Sequence, residues 1–69
     1  MSNQQTLQPH QQRVIDELAE LYGKIESLSS FIGDSSYRIL DEIDRQLLDM
    51  QLSVMKSYSK ILHTRVSRF

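Results

Sequence analysis

An apolar residue recurs along the first half of the chain at alternating steps of four and three: Val14, Leu18, Leu21, Ile25, Leu28 and Ile32. That repeat keeps one face of an α-helix apolar and turns it toward neighbouring helices, so residues 10–32, HQQRVIDELAELYGKIESLSSFI, are predicted as one amphipathic helix. A second row, Ile15, Tyr22 and Ser29, runs beside the first and widens the apolar face at two of its three positions. One partner helix cannot cover both rows.

Length sharpens this constraint. A chain of 69 residues makes one domain and falls short of the size at which a single core is comfortably stable without staples or subunits. Cysteine is absent, which removes disulfides, a thiol nucleophile and a thiolate metal site, and leaves oligomerisation as the remaining support. Hydrophobic residues make up 39% and charged residues 25%, values of a folded domain, and a net charge of −1 supplies no basic field for a nucleic-acid polymer. No run approaches the roughly 18 apolar residues of a membrane span. The first residues, MSNQQTLQPHQQ, hold neither a basic nor an apolar targeting region, so an intracellular protein without membrane contact is expected.

Read in order, residues 1–7 are polar and aperiodic and are predicted as a disordered N-terminal arm, with a helical hairpin domain over 8–69. Pro9 suits the first turn of helix 1, expected over about 9–32. Gly33 is expected as a left-handed cap, and Gly33-Asp34-Ser35-Ser36 is turn chemistry. The connection, 33–40, is expected to tuck Tyr37, Ile39 and Leu40 against the hairpin end, over Phe31. Asp41 is the expected N-cap of helix 2, about 41–67, with Glu42 and Asp44 adding negative charge to its first turn. Its stripe is read as Leu48, Gln51, Met55, Tyr58 and Leu62, with Leu47, Val54 and Ile61 beside it. Gln51 is then a buried polar residue that fixes register.

Two helices of matched length joined by a short connection make an antiparallel hairpin. Ile43, Met50, Leu52 and Val66 lie at or beyond the edge of the helix 2 stripe, more apolar surface than one hairpin buries. The expected fold is therefore all-α: an antiparallel two-helix hairpin that assembles into a helical homo-oligomer.

Charge is segregated along the chain. From Gln51 onward the charged residues are Lys56, Lys60, Arg65 and Arg68, with His63 and no acid, whereas residues 34–49 carry five acids against Arg38 and Arg45. An antiparallel hairpin returns the basic end of helix 2 beside His10 and Arg13, at the N-terminus of helix 1, where free N–H groups favour anions. The plain reading is that basic residues near a helix C-terminus complement its dipole. Gly23, in mid-helix, either admits a ligand or is a tolerated surface glycine. Tyr22 and Tyr58 either stack on a base or serve as amphipathic core residues. His10 and His63 without a third ligand make a weak metal case. No activated nucleophile, paired acid or glycine-rich phosphate loop is present, so no enzyme, no catalytic residue and no cofactor is expected.

Residues 10–32 and then 47–69, LLDMQLSVMKSYSKILHTRVSRF, together resemble the hairpin domain shared by phage anti-CBASS and anti-Thoeris sponge proteins. The resemblance rests on His10 and Arg13, Glu17-Leu18, Lys24-Ile25, Leu28 and Phe31-Ile32, and on Leu47-Leu48, Gln51, Met55, Tyr58, Leu62, Arg65 and Phe69. Gly23 and Ser27 depart from it, standing where charged residues are expected. It implies a phage-encoded helical oligomer, typically a hexamer, that acts in the host bacterial cytoplasm. Such a protein holds cyclic oligonucleotide messengers between protomers without cleaving them and so keeps a defence effector switched off. Under that resemblance Arg13, Lys24, Arg65 and Arg68 are assigned to phosphates, and His10 and Tyr22 to bases or ribose. Asp49 is the alternative, surface partner for Lys24. The rival reading is a structural or adaptor helical bundle that binds a partner protein; duplex nucleic-acid binding stands third.

Overall fold

The computed structural model describes residues 7–69 and contains three helices: α1 (Pro9–Ile32), α2 (Ser35–Arg38) and α3 (Glu42–Ser67). α1 and α3 pack side by side as an antiparallel hairpin, and the molecule measures 56 × 16 × 15 Å. Its radius of gyration is 16.3 Å, against roughly 11 Å for a compact chain of this length. The hairpin is therefore a rod two helices thick. Of the N-terminal arm expected over 1–7, only Leu7 lies within the described residues, and it is outside any helix.

Each helix end has a local cause. Pro9 occupies the first turn of α1, and the Gln11 side chain reaches back to accept the Gln8 backbone N–H at 2.9 Å. At the other end Gly33 does not adopt the expected left-handed conformation: its φ is −82° and its ψ is −2°. Its N–H still bonds the Ser29 carbonyl at 3.2 Å, so the chain leaves α1 through right-handed geometry that any residue can adopt. Asp34 then caps α2, its carboxylate accepting the Ser35 N–H at 2.7 Å. Asp41 sits at the N-cap of α3 as expected, yet its side chain makes no capping bond; only its carbonyl is engaged, by the Arg45 N–H. Glu42 and Asp44 in the first turn supply the electrostatic complement.

The connection folds over the hairpin end less completely than its sequence suggests. Tyr37 and Leu40 are half-buried, but Ile39 is 85% exposed. Phe31 meets Tyr37 edge-to-face, centroids 6.4 Å apart, and the Tyr37 hydroxyl donates to the Asp49 carboxylate at 2.7 Å. Arg45 donates to the Arg38 carbonyl at 3.0 Å, so the C-terminal end of α2 is tied to α3 by two polar contacts.

The core is small and lies toward the open end. Val14, Leu18 and Leu21 of α1 bury against Leu62 of α3, with Ile25, Met55 and Val66 packed around them, and Leu62 alone is fully enclosed. The α1 row agrees with its 4-3 spacing. On α3 the stripe read in the sequence holds at Leu48, Met55 and Leu62 but shifts by one residue at two levels: the seam runs Leu48, Leu52, Met55, Ser59, Leu62 and Val66. Gln51 and Tyr58 are exposed instead of forming the seam, and Leu52 and Val66 belong to it. The exchange is favourable because a buried Gln51 amide would need partners that an aliphatic seam lacks. Ser59 is small and bonds its own helix, donating to the Lys56 carbonyl at 2.7 Å.

Candidate functional site

The residues singled out as a candidate site fall at three places on the rod. His10 and Arg13 are exposed on the first turns of α1, and Arg65 and Arg68 are exposed at the end of α3. Val14 and Val66 join the same apolar cluster, which places these cations at one end of the hairpin. The cationic open end inferred from charge segregation is thus present in the fold.

Lys24 stands mid-hairpin in a long open groove with Glu20, Gly23, Ser27, Leu28, Gln51 and Met55, about 750 Å³ in volume. That volume falls in the range of small-molecule sites, roughly 300–1,000 Å³. Gly23 lines this groove, and a Cβ built there meets nothing within 4 Å. Gln51, exposed on α3, is part of the groove wall. Asp49 is committed to the Tyr37 hydroxyl.

Tyr22 lies in a different groove of about 450 Å³, with Ser59, Lys60, His63 and Thr64 along its other wall. Tyr22 is 48% exposed, which leaves about half of its side chain available to the groove and outside the core. Lys60 and His63 belong to the basic run read in the sequence but are not assigned to a ligand there, and Thr64 is not singled out. They become legible once Ser59 is known to sit on the seam, because the positions one, four and five further on then flank it.

One polar contact ties α1 to α3 between these grooves. The Tyr58 hydroxyl donates to the Glu17 carboxylate, and both residues line a smaller recess with Glu20, Leu21 and Lys24. This bond raises the Tyr58 pKa above its ordinary value, with partial desolvation adding to the effect, while nearby Arg65 pulls the other way. Tyr37 is likewise raised, chiefly by its bond to Asp49. Among the described residues no group of three or more His, Cys, Asp or Glu side chains is placed to hold a metal ion, and no helix is long and apolar enough to cross a membrane.

Open grooves on an elongated hairpin, with cations gathered at one end, describe a small helical binding module. The chain belongs to the Sequestin family, which matches it over residues 8–68, the whole of the hairpin. It is 33% identical over 60 residues to a 7.5 kDa protein from the denB-rIIB intergenic region of Enterobacteria phage T4, itself described as uncharacterized. That match covers 87% of this chain and 94% of the phage protein. No solved structure matches the chain.

Proposed function

We propose that this chain is a phage-encoded sequestering protein that binds cyclic oligonucleotide second messengers intact, in the host bacterial cytoplasm, and so blocks activation of CBASS-type defence effectors. Membership of the Sequestin family carries the proposal. The family's name points to sequestration, and a relative in a phage agrees with a role in silencing a host signal. The chemistry of the hairpin supports the choice of ligand. A cyclic di- or trinucleotide is a compact anion with flat bases, and it calls for cations, aromatic or aliphatic walls and shelter from water.

The reading needs more than one copy. Tyr22 and Lys24 face different grooves, and the cations His10, Arg13, Arg65 and Arg68 belong to the open end. A ligand that uses all of them draws on several protomers, which agrees with a homo-oligomer, in this reading a hexamer. Symmetry then repeats each side chain around the ligand and builds a site from few residues per chain.

To keep an effector off, the free messenger must stay below the effector's dissociation constant, which calls for nanomolar binding, on the order of −12 kcal/mol. Calorimetry of the purified protein against a panel of cyclic di- and trinucleotides, followed by denaturation and recovery of the nucleotide, tests the proposal. The expected result is tight binding of at least one member and its return unaltered. No binding across the panel overturns it in favour of an adaptor that binds a partner protein; an altered nucleotide means an enzyme.

A further inference from the structure

α3 keeps a second apolar stripe that the hairpin leaves in water. Ile43, Leu47, Met50, Val54 and Ile61 are each 56–67% exposed. Their steps of four, three, four and seven follow one line along the helix, with Ser57 filling the vacant place. A face of this period is the seam of a helix pair. Five large side chains in a row exceed the scattered exposure that a monomer tolerates, and the same patch doubled across a twofold approaches the ~1,000 Å² of a specific interface.

Two observations identify the occupant. The first is where the remaining apolar surface lies: among the described residues, every exposed large aliphatic side chain of the two long helices is on α3, while α1 exposes the aromatic Tyr22 and Phe31 and the small Ala19. A second copy can therefore cover this stripe with aliphatic surface only by offering its own α3. The second is charge. The first half of α3 holds Glu42, Asp44 and Asp49 against Arg45, and its second half holds Lys56, Lys60 and Arg65 without an acid. Parallel pairing would set like charge beside like, and antiparallel pairing sets acid beside base while also opposing the helix dipoles.

We infer that α3 pairs antiparallel with the α3 of a second copy, about a twofold axis passing near Leu52. The stripe is self-complementary about that point: Ile43 of one copy stands opposite Ile61 of the other, Met50 opposite Val54, and Leu47 opposite Ser57. Large side chains meet smaller ones at two of these levels, as packed helix seams require. Leu52 itself stays on the opposite side of α3, in the seam with α1, so one helix serves both contacts. This pairing deepens the oligomer invoked for sequestration by supplying the step that makes its building block, and it stands on observations independent of any ligand.

The absence of cysteine makes the orientation directly measurable. Ile43→Cys and Ile61→Cys chains are oxidised separately and after co-expression, then resolved without reductant; circular dichroism confirms that each is helical and light scattering gives its mass. In the antiparallel pair identical positions lie about 27 Å apart along the axis, eighteen residues at 1.5 Å each, beyond the reach of a disulfide. The expected result is a crosslinked dimer only in the co-expressed sample, in no more than half of the chains, the share that random pairing places in mixed pairs. Crosslinking of either chain alone means a parallel pair and overturns the inference. No crosslink in the mixture, or a monomer by scattering, overturns it as well. Calorimetry of the same chains against the cyclic nucleotide panel is read separately, so a wrong pairing with intact nucleotide binding leaves the sequestering function standing.

Discussion

Tyr58 and Glu17 are 41 positions apart in sequence, and the hydroxyl of the first donates a hydrogen bond to the carboxylate of the second. The bond lies at the edge of the α1–α3 seam, where the tyrosine can bury part of its ring and keep its oxygen polar. Together with the Tyr37–Asp49 bond near the connection, it pins the rod at two points along its length.

Both bonds require a protonated phenol, and both raise the tyrosine pKa. A phenol that titrates higher in the folded chain than in the unfolded one stabilises the hairpin fully below about pH 10. That contribution is lost as the pH rises through the higher folded value. Thermal melts are expected to show the melting temperature falling with pH in this alkaline range. A Tyr37→Phe/Tyr58→Phe chain starts lower at neutral pH and falls less; an unchanged slope would mean that neither phenol is engaged.

Leu62 and Ile61 are adjacent and opposite in consequence. Leu62 has no exposed surface, whereas Ile61 is 56% exposed on the outer stripe. Leu62→Ala is expected to destabilise the hairpin by about 2–5 kcal/mol, enough to unfold much of so slender a protein. Ile61→Ala is expected to leave helicity intact and to lower the assembled mass at limiting concentration. Circular dichroism and light scattering on the same two samples check both outcomes.

The two glycines invite the same expectation for stability and different ones for binding. Gly33 has an ordinary helical backbone and space for a Cβ, whose nearest neighbour would be the Ser30 carbonyl at 3.6 Å. Gly33→Ala is therefore expected to stabilise by about 0.4–1 kcal/mol without affecting ligands. Gly23→Ala is expected to gain about 1 kcal/mol from helix propensity and to weaken nucleotide binding, because the new methyl enters the Lys24 groove. Urea melts paired with calorimetry separate these effects; stronger folding with unchanged binding would make Gly23 a plain surface glycine.

Cations at the open end are expected to act on affinity rather than on folding. Arg13→Gln or Arg65→Gln, each losing a charge-assisted bond of about 1.5–3 kcal/mol, should weaken nucleotide binding at least about tenfold. The melting temperature should stay close to that of the parent. Affinity of the parent should also fall as salt shortens the screening length from about 10 Å to about 3 Å. Calorimetric titrations at two ionic strengths check this, and a salt-independent affinity would remove these arginines from the site.

Much of this architecture was legible in residue order. The 4-3 spacing on α1 and the lack of turn signals within each half place both long helices, and the bounds of α1 agree with Pro9 and Ile32. Gly33 was misleading because a glycine signals freedom of conformation, not the conformation taken. The α3 seam was ambiguous for a similar reason: Gln51–Tyr58 and Leu52–Ser59 are neighbouring lines on one helix, a single residue apart.

Local spacing, charge order and the absence of cysteine by themselves determined that this protein is a helical hairpin, basic at its open end and short of apolar cover. Helix periodicity depends on near neighbours alone, and so do caps and net charge. Only the tertiary structure decided which line of α3 faces α1, and therefore which residues are left outside. That choice turns on whether a buried amide finds a partner and how closely two backbones approach, and neither quantity exists until the helices meet. With Leu52, Ser59 and Leu62 inside, Tyr22 and Lys24 fall into separate grooves, and the Ile43–Ile61 stripe is left exposed.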